Sequence, residues 1–489
     1  MASIQQVFRQ TAIYGLGTIL PRFLNYLLTP LYTYLFTNPA DYGIYAELYA
    51  YMSFLNILFT YGMETTFFHF VNTHEHPNKV FNTTFSLIII STTIFSALLF
   101  LWAPTLTNVL HYPTTLFVYW TIGILASDAL LSIPFAYLRQ QQKALRFSLI
   151  KVLNVFINIA LNLFFFLLCK QHYDQGIQSF WASWYHPHIG IGYSLLSNLI
   201  ANVLSLLFLI PSMRHFRFRI EYALVPPMLK YAAPLLIVGL AGMINETFDR
   251  LVLKYLLPLS EAQKAQGIYG ACYKISILMT IFIQAYRYAA EPFFFKAFKE
   301  TDAKETYAKT TDAFIAFGLF IWLATILNLP LLQYFIGPSY RIGLKVVPIL
   351  LTANLCLGIY FNLSFWYKLT GQTHIGALIT IFGALVTLII NFAFVPVYSY
   401  VASAWATLAS YFSMMILAHF LGQKYYKIRH YTKRITLNGF STLMVVGISS
   451  FIHTSSETLK ILINNGLLAL FAMYLMWPYN AGFFKKSRT

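Results

Sequence analysis

Fourteen apolar runs of bilayer-spanning length follow one another from one end of the chain to the other. They lie near residues 11–36, 42–70, 81–103, 114–138, 147–169, 189–212, 231–257, 267–293, 310–336, 343–367, 375–397, 399–421, 435–453 and 459–478. A helix rising 1.5 Å per residue needs about 20 residues to cross the hydrocarbon core. No water reaches backbone N–H and C=O groups there, so each span must satisfy its own, and runs of this length do so as helices. Connections are short and leave no room for a separate soluble domain. The chain is therefore expected to be an all-α integral membrane protein of about 14 transmembrane helices. Only 10% of its 489 residues are charged, against about a quarter in soluble domains. The net charge of +17 does not mark a nucleic-acid surface, because the bases sit in short loops on alternate sides of the spans. The start, MASIQQVFRQ, is polar and the first apolar run is full length, so no cleavable signal peptide is expected. Cys169, Cys272 and Cys356 form neither a disulfide framework nor a metal spacing.

Loop charges set the orientation. One set of loops, from Arg9 and Lys79 to Lys485, Lys486 and Arg488, holds 22 Lys and Arg residues; the opposite set holds Lys170, Lys264, Arg341, Lys345 and Lys460. Both termini are thus expected on the cytoplasmic side, which an even number of spans requires. The longest outward loop, from Lys170 to His188, carries Trp181, Trp184, Tyr185, His186 and His188. Aromatics there fit interfacial anchoring or ligand contact, anchoring being the commoner use, and the two histidines make a weak metal spacing. The inward stretch 213–230, MRHFRFRIEYALVPPMLK, alternates bases with aromatics and reads as a connector lying on the cytoplasmic leaflet.

An internal repeat divides the chain. DYGIYAELY (41–49) and AQGIYGACY (265–273) align without a gap at an offset of 224, each opening the second span of its half. Near the end of each half, ALNLFFF (160–166) aligns with IINFAFV (389–395), matching Asn162 to Asn391. Six spans per half plus a final pair account for all fourteen. The expected organisation is an N-terminal lobe (1–212), an interfacial linker (213–230), a C-terminal lobe (231–421), two further helices (435–478) and a basic cytoplasmic tail (479–489). Two pseudo-symmetric six-helix lobes around a central cavity are a transporter architecture.

Charges inside the spans then locate the chemistry. The segment 231–257, YAAPLLIVGLAGMINETFDRLVLKYLL, carries Asn245, Glu246, Asp249, Arg250 and Lys254. A charge near the bilayer centre costs at least about 2.5–3.5 kcal/mol, so such groups face a protein interior or a watery cavity. Pairing of Glu246 with Arg250 at i,i+4 is the simpler reading of part of the set. The spans also hold the bases Arg22, Lys151, Lys274 and Arg287 and the acids Glu47, Glu64, Asp128 and Glu291. Arg22 follows Pro21, where a kink is expected, and is the leading cavity cation; its alternative is a pair with Glu64 or Asp128. Lys151, Asn154, Asn158 and Asn162 share one helical face, and Ser194, Asn198 and Asn202 repeat the pattern on the next span. Such a ladder lines a cavity or bonds helices together, and both uses fit. Arg287 and Glu291 read as a simple i,i+4 pair, and Lys254, near an outer span end, as a snorkelling base. Arg22 and Arg250 suit phosphate because a guanidinium offers paired donors. Neither a nucleophile–base set nor a P-loop is visible, so the expectation is a transporter without cofactor or metal and not an enzyme.

Three stretches, GLGTILPRFLNYLLTPLYTYLFTNPADYGIYA (15–46), NETFDRLVLKYLL (245–257) with GIYGACYKI (267–275), and NFAFVPVYSYVASAWATLASY (391–411), carry a resemblance over nearly the whole chain. They resemble the Wzx-type oligosaccharide flippases of the polysaccharide transporter family, within the multidrug/oligosaccharidyl-lipid/polysaccharide exporter superfamily. The resemblance implies fourteen helices in two lobes around a cavity. It implies transfer of a polyprenyl-diphosphate-linked oligosaccharide from the cytoplasmic to the outer face of a bacterial inner membrane, for cell-surface polysaccharide assembly. Asp249 and Arg250 match the family's acid–arginine pair in the seventh helix, and Arg22 a common first-helix arginine. The expected substrate-binding cations are Arg22, Arg250, Lys151, Lys274 and Arg287. Glu64, Asp128, Asn154, Asn158, Asn162, Asn245, Glu246 and Asp249 are the expected cavity-lining or ion-coupling groups, the coupling ion being H+ or Na+. Relatives that flip the peptidoglycan precursor lipid II carry several cations in the first two helices, whereas the second span here has Glu47 and Glu64 and no Lys or Arg. That substrate is the first alternative. A cation-coupled drug exporter and a membrane glycan polymerase or ligase are the others.

Overall fold

The computed structural model describes residues 15, 17, 19–177, 179–297, 303–452 and 456–486, with the backbone alone for 288–289, 291–293, 295–297 and 477–486. The described residues are helical with short connections and contain no strand. The principal helices are α1 (Leu28–Leu35), α2 (Pro39–Thr60), α3 (Met63–Thr73), α4 (Pro77–Leu110), α5 (Leu116–Gln140), α6 (Ala144–Leu163), α7 (Tyr193–Leu209), α8 (Val225–Leu256), α9 (Leu259–Ala297), α10 (Ala303–Leu327), α11 (Val347–Leu363), α12 (Thr373–Tyr398), α13 (Tyr400–Tyr425), α14 (Thr432–Phe451) and α15 (Glu457–Lys486). Eleven of them, α4 to α13 and α15, are long and apolar enough to cross a membrane. The described residues of the other three predicted spans are largely helical as well, and two of these spans are interrupted.

Both interruptions have local causes. The first span was expected to kink at Pro21, yet residues 19–26 run on as helix and the break falls at Leu27. Pro30 lacks the N–H that would bond the carbonyl of residue 26, and Leu27 closes a tighter turn onto Leu24 (3.1 Å). The second span divides at Tyr61 and Gly62, which have φ of 32° and 72°. A β-carbon on Gly62 would lie 2.9 Å from Cβ of Leu235, so glycine permits both the left-handed backbone and the close approach of α8. The start of α2 is fixed by Asn38, whose Oδ1 accepts from the Ala40 amide (3.2 Å), with Pro39 at the first helical position and Asp41 in the first turn.

The chain forms two compact units, residues 1–267 and 268–489. In the first, one apolar cluster joins Leu48 and Phe59 of α2 to Ile124 and Leu125 of α5. A second packs Phe67 of α3 with Phe81 and Phe85 of α4 and Tyr137 of α5. In the second unit, Tyr360, Trp366, Tyr367, Tyr411 and Met414 form a core among α11, α12 and α13.

The repeat is visible in packing. Within the first unit, α2 crosses the start of α9 with backbone against backbone. A β-carbon on Gly43 would sit 1.9 Å from the Gln263 carbonyl oxygen, and one on Gly267 would sit 1.8 Å from that of Pro39. These glycines are the ones the repeat sets opposite each other. Asn162 and Asn391 show the same equivalence, each inside its own unit and each fully buried. Each donates to the carbonyl four residues earlier at 2.8 Å, Asn158 and Thr387 respectively. Each also accepts a hydroxyl from a neighbouring helix, Tyr32 at 2.8 Å and Ser403 at 2.9 Å.

Candidate functional site

The first unit gathers most of the intramembrane charges. On α6, the spacing of three and four residues puts Lys151, Asn154, Asn158 and Asn162 on one face, which packs against α7 and the first span. Asn154 donates to Asn202 Oδ1 (3.0 Å) and Ser205 Oγ (2.9 Å) on α7. Asn202 in turn donates to Asp128 Oδ1 (2.8 Å) and Ser127 Oγ (3.2 Å) on α5. Asn158 donates to Asn25 (3.1 Å) and Asn162 to Asn158 Oδ1 (3.1 Å). The ladder bonds helices to each other along its length and holds the Asp128 carboxylate at a fixed place.

Lys151 ends this ladder half-buried. Its ammonium lies 4.2 Å from the centroid of the Phe135 ring, a cation–π contact. Among the described residues no carboxylate lies within ion-pairing distance of it, and Asp128, Glu64 and Arg22 lie in its surroundings. Arg22 is exposed. It reaches this neighbourhood because the first span lies tight on α6: a β-carbon on Gly17 would be 2.2 Å from Ser148 Oγ. Gly17 precedes Arg22 by five residues, and Ser148 precedes Lys151 by three. Glu64 of α3 accepts from Arg139 of α5 at 2.7 Å in a half-exposed pair. Around Lys151 thus lie the bases Arg22 and Arg139 and the acids Asp128 and Glu64. Like charges at Arg22 and Lys151 repel, and an anion between them relieves that repulsion.

A second group lies on α8. Asn245 and Asp249 are buried, Arg250 is half-buried and Glu246 is exposed. The Arg250 carbonyl accepts from Gln266 Nε2 at 2.8 Å. The expected Glu246–Arg250 neutralisation is not seen: no ion pair joins the two among the described residues. In the second unit Lys274 is half-buried on α9, and the Arg287 guanidinium lies 4.1 Å from the centroid of Phe361 on α11. The side chain of Glu291, the expected partner of Arg287, lies outside the described residues.

Two charge pairs escaped the sequence reading. Lys254 does not snorkel. Its ammonium is buried in an ion pair with Glu47 Oε1, the side chains being 5% and 0% exposed. It also donates to the Leu110 carbonyl (2.8 Å) at the end of α4, and Tyr112 OH donates to Glu47 (2.6 Å). A helix C-terminus, with its unmet carbonyls, favours a cation. The shared position of Glu47 and Lys254 toward the same ends of their spans was the available signal. The second is Asp312 on α10, 2% exposed, which Arg434 of α14 contacts at 3.1 Å. By sequence Arg434 falls in the short connection before 435–453, and Asp312 at the very start of the span 310–336.

Comparison with known proteins places this geometry. Residues 7–298 match the family described as "Polysaccharide biosynthesis protein". No curated protein sequence matches. Among solved structures, the lipid II flippase MurJ in an inward closed conformation is similar with a TM-score of 0.68 and 16% identity, over 96% of this chain and 99% of that one. A multidrug resistance MATE family transporter of the MOP superfamily, inward-facing, has a TM-score of 0.59 and 14% identity, over 87% and 95%. The Vibrio cholerae MATE transporter VcmN has a TM-score of 0.58 and 12% identity, over 86% and 96%. The chain therefore has the fold of these transporters and is a multi-pass membrane protein.

Proposed function

Because the chain belongs to the polysaccharide biosynthesis protein family, we propose that it moves a polyprenyl-diphosphate-linked oligosaccharide across a bacterial inner membrane, from the cytoplasmic to the outer face. The observation that carries this reading is the close seating of the first span on α6 at Gly17 and Ser148, which brings Arg22 into the surroundings of Lys151, a base with no carboxylate at ion-pairing distance among the described residues. A diphosphate placed there accepts the donors of both side chains. Arg250 on α8 is the third phosphate ligand in this reading.

The mechanism is alternating access. In this reading residues 1–212 and 231–421 act as the two lobes that alternate access to a substrate cavity, helices 435–478 are appended, and both termini are cytoplasmic. The diphosphate and sugars enter the cavity while the polyprenyl tail stays in lipid. Rocking of the lobes then opens the cavity outward. With the inside negative, each anionic charge moved outward gains about 2.3 kcal/mol per 100 mV, so the potential itself drives export. Asp128, Glu64 and Asp249 are the groups to carry a coupled H+ or Na+. Lipid II is the second substrate reading, favoured by the structural likeness to its flippase; the absence of Lys and Arg from 42–70 speaks against the same set of cations.

Proteoliposomes holding the purified chain and a fluorescent polyprenyl-diphosphate glycan test the proposal. The label is expected to become accessible to a membrane-impermeant quencher in the opposite leaflet at a potential-dependent rate. Efflux of a hydrophobic cationic dye without glycan movement would make the chain a drug exporter, and formation of new glycosidic bonds would make it an enzyme. In cells, Arg250→Ala is expected to abolish complementation of a flippase-deficient strain, whereas Arg287→Lys, which keeps the cation over Phe361, is expected to reduce it less than threefold.

A further inference from the structure

The segment after α7 is irregular, yet it is pinned to the first turns of α4. The Arg217 amide donates to Asn82 Oδ1 (3.1 Å) and the Glu221 amide to Thr83 Oγ1 (3.0 Å). The Phe216 ring lies 4.8 Å from that of Phe85. Between this segment and α4 is a cavity of about 420 Å³ lined by Lys79, Arg214, Arg217, Arg219 and Glu221, within the range of small-molecule sites, roughly 300–1,000 Å³. Of its four strong bases, only Lys79 has a carboxylate partner among the described residues, Glu221 at 3.4 Å. The hydrogen bonds that fix the backbone therefore hold three arginines around one polar hollow, with the field of one acid spent on a fourth base.

The place and the surroundings name the ligand. The hollow lies at helix ends, where spans Pro77–Leu110, Gly190–Ser212 and Val225–Leu256 begin or finish, the depth at which headgroups sit. Phe218 and Tyr222 of the same segment are 61% and 82% exposed; an apolar ring so displayed is suited to acyl chains and the amphipathic ring of Tyr222 to the membrane interface. We propose that this hollow binds the phosphate headgroup of an anionic membrane lipid, with Arg214, Arg217 and Arg219 as its ligands and Phe218 and Tyr222 resting among the acyl chains. The site is separate from the Arg22 and Lys151 group and stands whatever the chain transports.

The test is a titration of the full chain, purified in neutral detergent, with dioctanoyl phosphatidylglycerol, dioctanoyl phosphatidylcholine and inorganic phosphate. Phosphatidylglycerol is expected to saturate one class of site, to weaken with added salt, and to bind at least tenfold tighter than the other two. Arg214→Gln/Arg217→Gln/Arg219→Gln is expected to weaken it tenfold or more, since each base near a membrane surface contributes roughly fivefold. Lys424→Gln/Lys427→Gln/Arg429→Gln, which removes three bases elsewhere, is expected to leave it unchanged. Glu221→Gln is expected to tighten binding severalfold, a gain that misfolding cannot mimic and that decides the matter if the triple variant does not fold. Equal affinity for the two lipids, phosphate binding as tight as phosphatidylglycerol, equal losses in the two triple variants, or no gain in Glu221→Gln would overturn the assignment.

Discussion

Gly43→Val is expected to cost about 3 kcal/mol or more and to leave little folded protein. Overpacking a core usually costs about 1–3 kcal/mol because side chains and helices shift to make room. Here the atom in the way is the Gln263 carbonyl oxygen, 1.9 Å from where a β-carbon would stand, and a backbone atom has no rotamer to change. The two helices must separate instead, forfeiting the dispersion contacts that small residues permit between membrane helices. Gly267→Val meets the Pro39 carbonyl in the same crossing, so the double variant should cost less than the sum of the singles. Gly242→Ala on α8 is the control: nothing lies within 4 Å of its added carbon, and alanine is the better helix former by roughly 1 kcal/mol. Thermal unfolding of detergent-purified variants measures all four. A Gly43→Val protein that melts with the wild type would show that α2 and α9 do not cross on glycine.

Lys254→Met is expected to destabilise by about 3–5 kcal/mol, the cost of leaving a buried carboxylate without its counter-charge. Glu47 has no solvent exposure, so its charge has no water to fall back on, and Tyr112 alone stays to hydrogen-bond it. Removing both charges in Glu47→Gln/Lys254→Met is expected to recover most of the loss, because apolar or neutral replacements often equal a buried pair in stability. Melting temperatures of the two singles and the double give the coupling. If the double variant is no more stable than Lys254→Met, the two side chains do not form a pair.

The parts of the fold legible in the sequence are those set by the bilayer. Apolar length fixed the helices, and the repeat at 41–49 and 265–273 aligns the two glycines that the structure brings to one crossing. Matching Asn162 to Asn391 likewise found two buried amides in equivalent hydrogen bonds. What was not legible depends on tertiary approach. The break at Tyr61 and Gly62 is marked locally only by one glycine in an apolar run, and the close approach of Leu235 on α8 that this glycine admits is recorded by no local pattern. Lys254 looked like a base that could reach water because the carboxylate that holds it lies 207 residues earlier. Asp312 gives no local signal because its partner, Arg434, sits at a helix start that reads as loop. Of the site, the sequence supplied Arg22 and Lys151 as separate candidates; only the seating of Gly17 on Ser148 brings them near each other.

The central claim is that paired cations in the first unit hold the diphosphate of the substrate. Its most direct test is the leaflet-exchange rate of a fluorescent polyprenyl-diphosphate glycan in proteoliposomes containing Arg22→Ala/Lys151→Ala. Removal of two charge-assisted contacts, each worth about 1.5–3 kcal/mol, predicts a rate at least a hundredfold below that of the unaltered chain, with equal melting temperature. Exchange at the unaltered rate by a fully folded double variant would contradict the account.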